Sequence, residues 1–386
     1  MRASQVCNVR IQGIASAVPD KVVSWREEIP VFGEVEMRKI TENTGIEERR
    51  IAPEGICTSD LCIAAAEPLL AELQIDRANI DCVILVTQTP DYFLPATACS
   101  IASRLGLSNN CAAFDVNLGC SGYTYGLWMA SHLLASGGAS RVLLLAGETA
   151  SRPVHPCDRS ARPLFGDAGT ATVLETSSDA TPIHFRFGTD GSGQNSLIIP
   201  AGGERQRRSE QTCRVERGAD GNSRTLENLF MDGAEIFSFT IERVPPLLLQ
   251  TVEDAGWSVS DVDAFVLHQA NGFMLKNLAR FAGIPLEKVP IALRNFGNTS
   301  SASIPLALTT SMRDQMANGP LKLVLAGFGV GFSWCSAALL ASGIELLPLV
   351  EVDCDRLLNQ LYSTHPESKS HLPAELRSIF HAPKTL

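Results

Sequence analysis

The chain lacks any apolar run of the ~18 residues that a helix needs to span a bilayer. It also lacks a surplus of positive charge: 32 Lys and Arg stand against 42 Asp and Glu, for a formal net charge of −10. Binding to nucleic acid through a basic surface is therefore not expected, nor is insertion into a membrane. There is no CxxC pair and no Cys/His cluster with zinc spacing, although the chain holds eleven cysteines. No metal is called for. Residues 1–13 show no basic region followed by a long apolar stretch and a small-residue cleavage site. The cysteines are read as reduced, mostly buried thiols of a cytoplasmic protein.

What the chain does have is an ordinary globular composition, with 45% hydrophobic and 19% charged residues over 386 positions. That length implies two domains or one large duplicated one. Short runs rich in Val, Leu and Ile predict buried strands near 83–87, 112–116, 142–146, 171–174, 264–268 and 323–326. Segments 59–73 and 121–135 carry helical patterns between them. Strands and helices in alternation predict a layered α/β fold of the αβαβα type.

An internal repeat strengthens this reading. Asp81-Cys82-Val83-Ile84-Leu85 resembles Asp263-Ala264-Phe265-Val266-Leu267, and Leu145-Ala146-Gly147 resembles Leu325-Ala326-Gly327. The offset is 182 from Asp81 to Asp263 and 180 from Leu145 to Leu325. Two pairs with nearly one offset indicate duplication. The expected organisation is an N-terminal half over 1–180, a C-terminal half over 181–345 and a partly disordered tail over 346–386. Segment 202–225 is polar and charged, and is expected to be an exposed loop.

Cys120 follows an expected strand and a short turn and precedes a helical run. The partial positive charge of a helix start favours a thiolate and lowers a thiol pKa. A buried structural cysteine fits the same context. His268 ends an apolar strand in Leu267-His268-Gln269-Ala270-Asn271, where a hydrogen-bonded core histidine is the plainer alternative. Asn298 lies in Phe296-Gly297-Asn298-Thr299-Ser300, which turn or cap chemistry would also explain.

Together these residues resemble the β-ketoacyl-acyl carrier protein synthase III family of the thiolase superfamily. The resemblance rests on Gly119-Cys120-Ser121-Gly122, Phe165-Gly166-Asp167-Ala168-Gly169, Met231-Asp232-Gly233, His268-Gln269-Ala270-Asn271, Gly297-Asn298-Thr299-Ser300 and Gly327-Phe328-Gly329-Val330-Gly331-Phe332. Thr44-Gly45-Ile46-Glu47-Glu48-Arg49 fits as well, and the match runs in order over about residues 8–342. It implies a duplicated thiolase-like five-layered αβαβα fold and a homodimer. It implies a condensing acyltransferase with no cofactor, working on acyl-coenzyme A or acyl-carrier protein. Cys120 would take the acyl group from a thioester. A malonyl-type thioester, most simply malonyl-acyl carrier protein, would then lose CO₂. Its enolate would be held by His268 and Asn298 while it attacks. The backbone N–H groups of Cys120 and Val330 would form the oxyanion hole.

The same resemblance assigns substrate contacts to Arg159, Phe165 and Leu94, the last reaching across the dimer to shape the acyl pocket. It departs from the family at Lys39 and Asn43, where a tryptophan and an arginine often contact coenzyme A, and at Phe273, often an arginine. Carrier proteins are acidic, so docking needs a local basic patch. Lys276 and Arg280 lie four apart on an expected helix; Arg205, Arg207 and Arg208 are the other cluster. The pathway is expected to be fatty-acid initiation or a specialised acyl or polyketide route. A thiolase-fold acyltransferase making esters or amides, and a non-catalytic partner subunit, are the alternatives. The latter typically loses the nucleophile. A degradative thiolase needs a second cysteine, for which Cys335 is poorly placed.

Overall fold

A computed structural model describes residues 1–364. The strands of its two large sheets are β1 (Arg2–Val6), β2 (Val9–Pro19), β3 (Cys82–Val86), β4 (Ala112–Val116), β5 (Arg141–Thr149), β6 (Asp167–Thr176), β7 (Ile183–Thr189), β8 (Ala264–Leu267), β9 (Leu321–Gly329), β10 (Ser333–Ala341), β11 (Glu345–Leu346) and β12 (Val350–Val352). The helices that matter here are α1 (Thr58–Glu72), α2 (Gly122–Ala135), α3 (Gly233–Asp254), α4 (Gly272–Ala282), α5 (Ser303–Ala307) and α6 (Cys354–Thr364).

Two sheets form. The first runs β11-β2-β6-β5-β3-β4, with β12 also pairing β2, and the second runs β1-β7-β10-β9-β8. Within each, four strands repeat one plan. β3 lies parallel to β5, which is antiparallel to β6, which is antiparallel to β2. β8 lies parallel to β9, antiparallel in turn to β10 and then β7. The duplicated motif inferred from the repeat pairs is thus present strand for strand.

Burial explains the layers. β3 and β5 have almost no exposed residue, so both faces must be covered. α1 covers the outer face of the first sheet, α3 that of the second, and α2 and α5 lie between the sheets. Ile84, Val86, Leu127, Leu144, Val266 and Leu325 share the central core. This is the five-layered αβαβα arrangement.

The halves exchange strands. β1 opens the N-terminal half yet forms the edge of the second sheet, against β7. β11 and β12 follow the second half and pair in parallel with β2 of the first. Of the expected tail over 346–386, only residues 346–364 are described. Residues 346–364 include β12 and α6, because Leu346, Leu347, Val352 and Cys354 bury their side chains against the body. Residues 365–386 lie outside the described residues. Segment 202–225 is mostly exposed, as expected, and contains a small hairpin, Glu216–Arg217 with Ser223–Arg224.

Candidate active site

Three separate segments meet where the two sheets end. Cys120 follows β4 and immediately precedes Ser121, the N-cap of α2. His268 directly follows β8, and its backbone N–H donates to the Ala326 carbonyl of β9 at 2.8 Å. Asn298 sits in the turn before α5. Its N–H donates to the Leu164 carbonyl at 2.8 Å, and the Gly166 N–H donates to its carbonyl at 3.1 Å. The Leu164-Phe165-Gly166 motif therefore clamps Asn298. Arg49, itself paired with buried Glu28, donates to the Phe165 carbonyl and steadies that clamp.

Cys120, His268 and Asn298 border one cleft of about 90 Å³, together with Phe165 and Gly329. All three are buried. Gly329 has φ +156°, and a Cβ there would come within 2.7 Å of Cys120 Cβ and 3.0 Å of its Sγ. Only glycine lets this turn pass so close to the thiol. Val330, next in the chain, brings its backbone N–H to Cys120.

The electrostatics correct one expectation. The thiol was expected to be acidified by the helix start, but burial pushes it up to about 11. The Ser300 hydroxyl, 3.8 Å from Sγ, and the backbone N–H groups of Val330 and Cys120 pull the other way. No cation among these causes offsets the loss of water. Burial likewise drives His268 down to about 3, so its ring is neutral. Its Nδ1 lies 2.8 Å from Ser303 Oγ. Gln269 and Asn271, from the same motif, are structural. The Gln269 side chain donates to the Leu267 and Pro290 carbonyls and accepts from the Ala292 N–H, and Asn271 caps α4 through the Met274 N–H.

A second cavity, of about 430 Å³, opens on the other side of Cys120. Phe165 and Val330 line it, with Leu197, Ile198 and Leu229 forming an apolar wall. Gln88, Thr89 and Glu148 form a polar one. Sequence reasoning missed all three. Glu148 is fully buried near the end of β5 and accepts from the Gln88 N–H, Thr89 Oγ1, Thr87 Oγ1 and Ser301 Oγ. Burial raises its pKa to about 7. An acidic residue closing a run of six apolar or glycine residues, 142–147, was the available signal.

The remaining expected contacts lie elsewhere. Leu94 is 82% exposed, beside the exposed Tyr92 and Phe93, and does not line either cavity of the single chain. Arg159 donates to the Asp220 carbonyl at 3.1 Å and pairs with Glu36 at 3.7 Å. Lys276 and Arg280 are exposed on α4. Arg207 and Arg208 pair with Glu204 and Glu227.

Comparison with known proteins follows this geometry. The 3-oxoacyl-(acyl-carrier-protein) synthase III family model matches residues 114–191, and the model of its C-terminal part matches residues 252–340. A β-ketoacyl-(acyl-carrier-protein) synthase III of Streptomyces coelicolor is 37% identical over 333 residues, 85% of this chain and 96% of the relative. One from Neisseria meningitidis is 34% identical over 330 residues, 86% and 98% of the two chains. A solved 3-oxoacyl-(acyl-carrier protein) synthase from Burkholderia xenovorans superposes with a TM-score of 0.86 at 43% identity, covering 91% of this chain and 99% of the other.

Proposed function

This chain belongs to the 3-oxoacyl-(acyl-carrier-protein) synthase III family of condensing acyltransferases, and from that premise we propose that Cys120 carries the acyl group while His268 and Asn298 hold the enolate. In the first half-reaction, Cys120 Sγ attacks the carbonyl of an acyl thioester. The bond from that carbonyl to the donor sulfur breaks, and the Cys120 proton leaves with the released thiol. The backbone N–H groups of Cys120 and Val330 receive the oxyanion. In the second, a malonyl-type thioester loses CO₂. The enolate carbon attacks the acyl group, and Cys120 leaves as thiolate and is reprotonated.

The hydrogen bonds support the donor roles. The Ser300 N–H donates to Asn298 Oδ1 at 2.9 Å, which turns the Asn298 amide N–H outward. The Gln269 N–H donates to Ser303 Oγ, so the Ser303 hydroxyl can donate to His268 Nδ1 and leave Nε2–H facing the cleft. The observation that carries the reading is the shared cleft of Cys120, His268 and Asn298.

A homodimer forms part of the proposal. β4 is an unpaired edge of the first sheet, and Tyr92, Phe93 and Leu94 stand exposed on a nearby loop. A second copy would cover both and bring Leu94 to the neighbouring site. The acyl donor is a coenzyme A or carrier-protein thioester, and the extender is malonyl-carrier protein, docking at Lys276 and Arg280. The halves over 1–180 and 181–345 are copies of one ancestral unit. Among the described residues no helix is long and apolar enough to cross a membrane, which suits a cytoplasmic enzyme.

The test is intact-protein mass spectrometry after incubation with acyl thioesters on coenzyme A and on carrier protein. An adduct on Cys120 that vanishes in Cys120→Ala is expected. Full condensing activity in that variant would overturn the assignment.

A further inference from the structure

The larger cavity beside Cys120 is not a plain hydrocarbon slot. Its polar wall is built with care. The Gln88 backbone N–H is anchored on Glu148, at 3.0 and 3.1 Å from the two carboxylate oxygens. Glu148 is itself held by Thr87, Thr89 and Ser301. Thr89 is locked further by the Thr149 N–H at 2.9 Å and by Thr58. Every polar group of this wall has its partners, except the side-chain amide of Gln88. Gln88 is exposed, and among the described residues its amide makes no hydrogen bond while it lines the cavity.

It stands against the residue that precedes the nucleophile. Gly119 precedes Cys120, and a Cβ on Gly119 would collide with Gln88 Oε1 and lie 3.1 Å from Ser300 Oγ. Ser300 Oγ is in turn 3.8 Å from Cys120 Sγ. The missing side chain at Gly119 is what admits the Gln88 carboxamide beside the thiol. Solvent reaches this exposed amide in the empty cavity; an alkyl chain bound to Cys120 would displace that solvent and offer no partner in return, which costs free energy. A site that hydrogen-bonds its substrate rejects analogues lacking the group.

We propose that Gln88 is a specificity-determining residue and that the acyl group loaded on Cys120 carries an oxygen function, hydroxyl or oxo, on its third carbon. A carboxamide can donate to an oxo group and either donate to or accept from a hydroxyl. The apolar wall of Leu197, Ile198 and Leu229 then receives the rest of the chain. This rests on the assignment of Cys120 as the acylated residue. The loading step is thioester exchange: the donor C–S bond breaks, the Cys120 C–S bond forms, and the thiol proton passes to the released thiol.

The experiment compares butyryl-, 3-hydroxybutyryl- and acetoacetyl-pantetheine, so that no nucleotide end contributes. The rate of adduct formation on Cys120 is followed by intact-protein mass spectrometry in the unaltered enzyme, in Gln88→Leu and in Gln88→Met. The unaltered enzyme should load at least one oxygenated group about tenfold or more faster than butyryl. Both variants should bring the rates to within about twofold of one another, with an unchanged circular dichroism spectrum and thermal midpoint as evidence of folding. Equal loading of all three by the unaltered enzyme, or an unchanged preference in both variants, overturns the inference and leaves the Cys120 assignment standing. Absence of any adduct with any thioester overturns both.

Discussion

Two places in the molecule are worth setting side by side: the residues that follow β3 in the first sheet and those that follow β8 in the second. The strands are equivalent in topology and lie parallel to equivalent partners. After β3 comes Thr87-Gln88; after β8 comes His268-Gln269. An offset close to that of the repeat also separates Cys120 from Ser300, whose side chains touch across the cleft. Duplication thus brought matching strand ends around one cavity, and divergence gave them different work. The first half supplies a thiol, a buried carboxyl and a free amide. The second supplies a neutral imidazole and an asparagine amide. The same force acts on both: burial disfavours charge. It raises Glu148 and Cys120 and lowers His268, so that at neutral pH the thiol and the imidazole of the empty site are uncharged and the Glu148 carboxyl is near its midpoint.

The comparison breaks most sharply in the two half-reactions. His268→Ala or Asn298→Ala should slow condensation about 10²–10³-fold, the usual loss for a preorganised oxyanion donor. Loading of Cys120, followed as adduct mass in the same samples, should change by less than about tenfold. Equal losses in both steps would mean that the second half serves the thiol as well.

The pH dependences should separate next. Loading consumes a thiol whose pKa is pushed up to about 11, so its rate should climb towards that value across pH 6–9, by up to about tenfold per unit. Malonyl decarboxylation, measured as CO₂ release, should show no limb from His268 above about pH 5, because that ring stays neutral down to about 3. Stability carries opposite signs. His268 binds its proton less readily when folded, so its contribution is present above 6.5 and lost as pH falls towards 3. Glu148 binds its proton more readily when folded, so its contribution is present below 4.5 and lost as pH rises through about 7. Denaturant midpoints should show the difference from His268→Gln shrinking in acid and that from Glu148→Gln shrinking above neutrality.

The smallest effect is expected at the surface. Lys276→Glu with Arg280→Glu should raise KM for a carrier-protein substrate several-fold at low salt and leave a coenzyme A substrate unaffected. Equal effects on both substrates would move docking away from α4.

Much of this was legible in the chain, for stated reasons. Strands buried on both faces announce themselves as Val-, Leu- and Ile-rich runs, as β3 does; 112–116 coincides with β4 in its bounds, but β4 is a half-exposed edge strand and not the buried one expected. Cys120 stood out through the turn and helix around it. Less legible were side chains whose meaning depends on neighbours far away in sequence. Gln88 is an ordinary loop residue until Gly119 is laid against it. Ser303 reads as a helix residue until it meets His268. The sign of the Cys120 shift was misread because a helix start is local and visible, whereas burial is not. β11 and β12 were hidden because strands of two and three residues carry no periodicity.

The strand exchange has a consequence for how the polypeptide is made. In a chain emerging from the ribosome, β2 can pair with β6 as soon as residue 176 is out. Its other edge has no companion until residues 345–352 follow. For the whole synthesis of the second half, an open strand edge in the first waits beside the exit tunnel. Such an edge invites pairing with other chains, and β11 and β12, made after the second half, are what shield it.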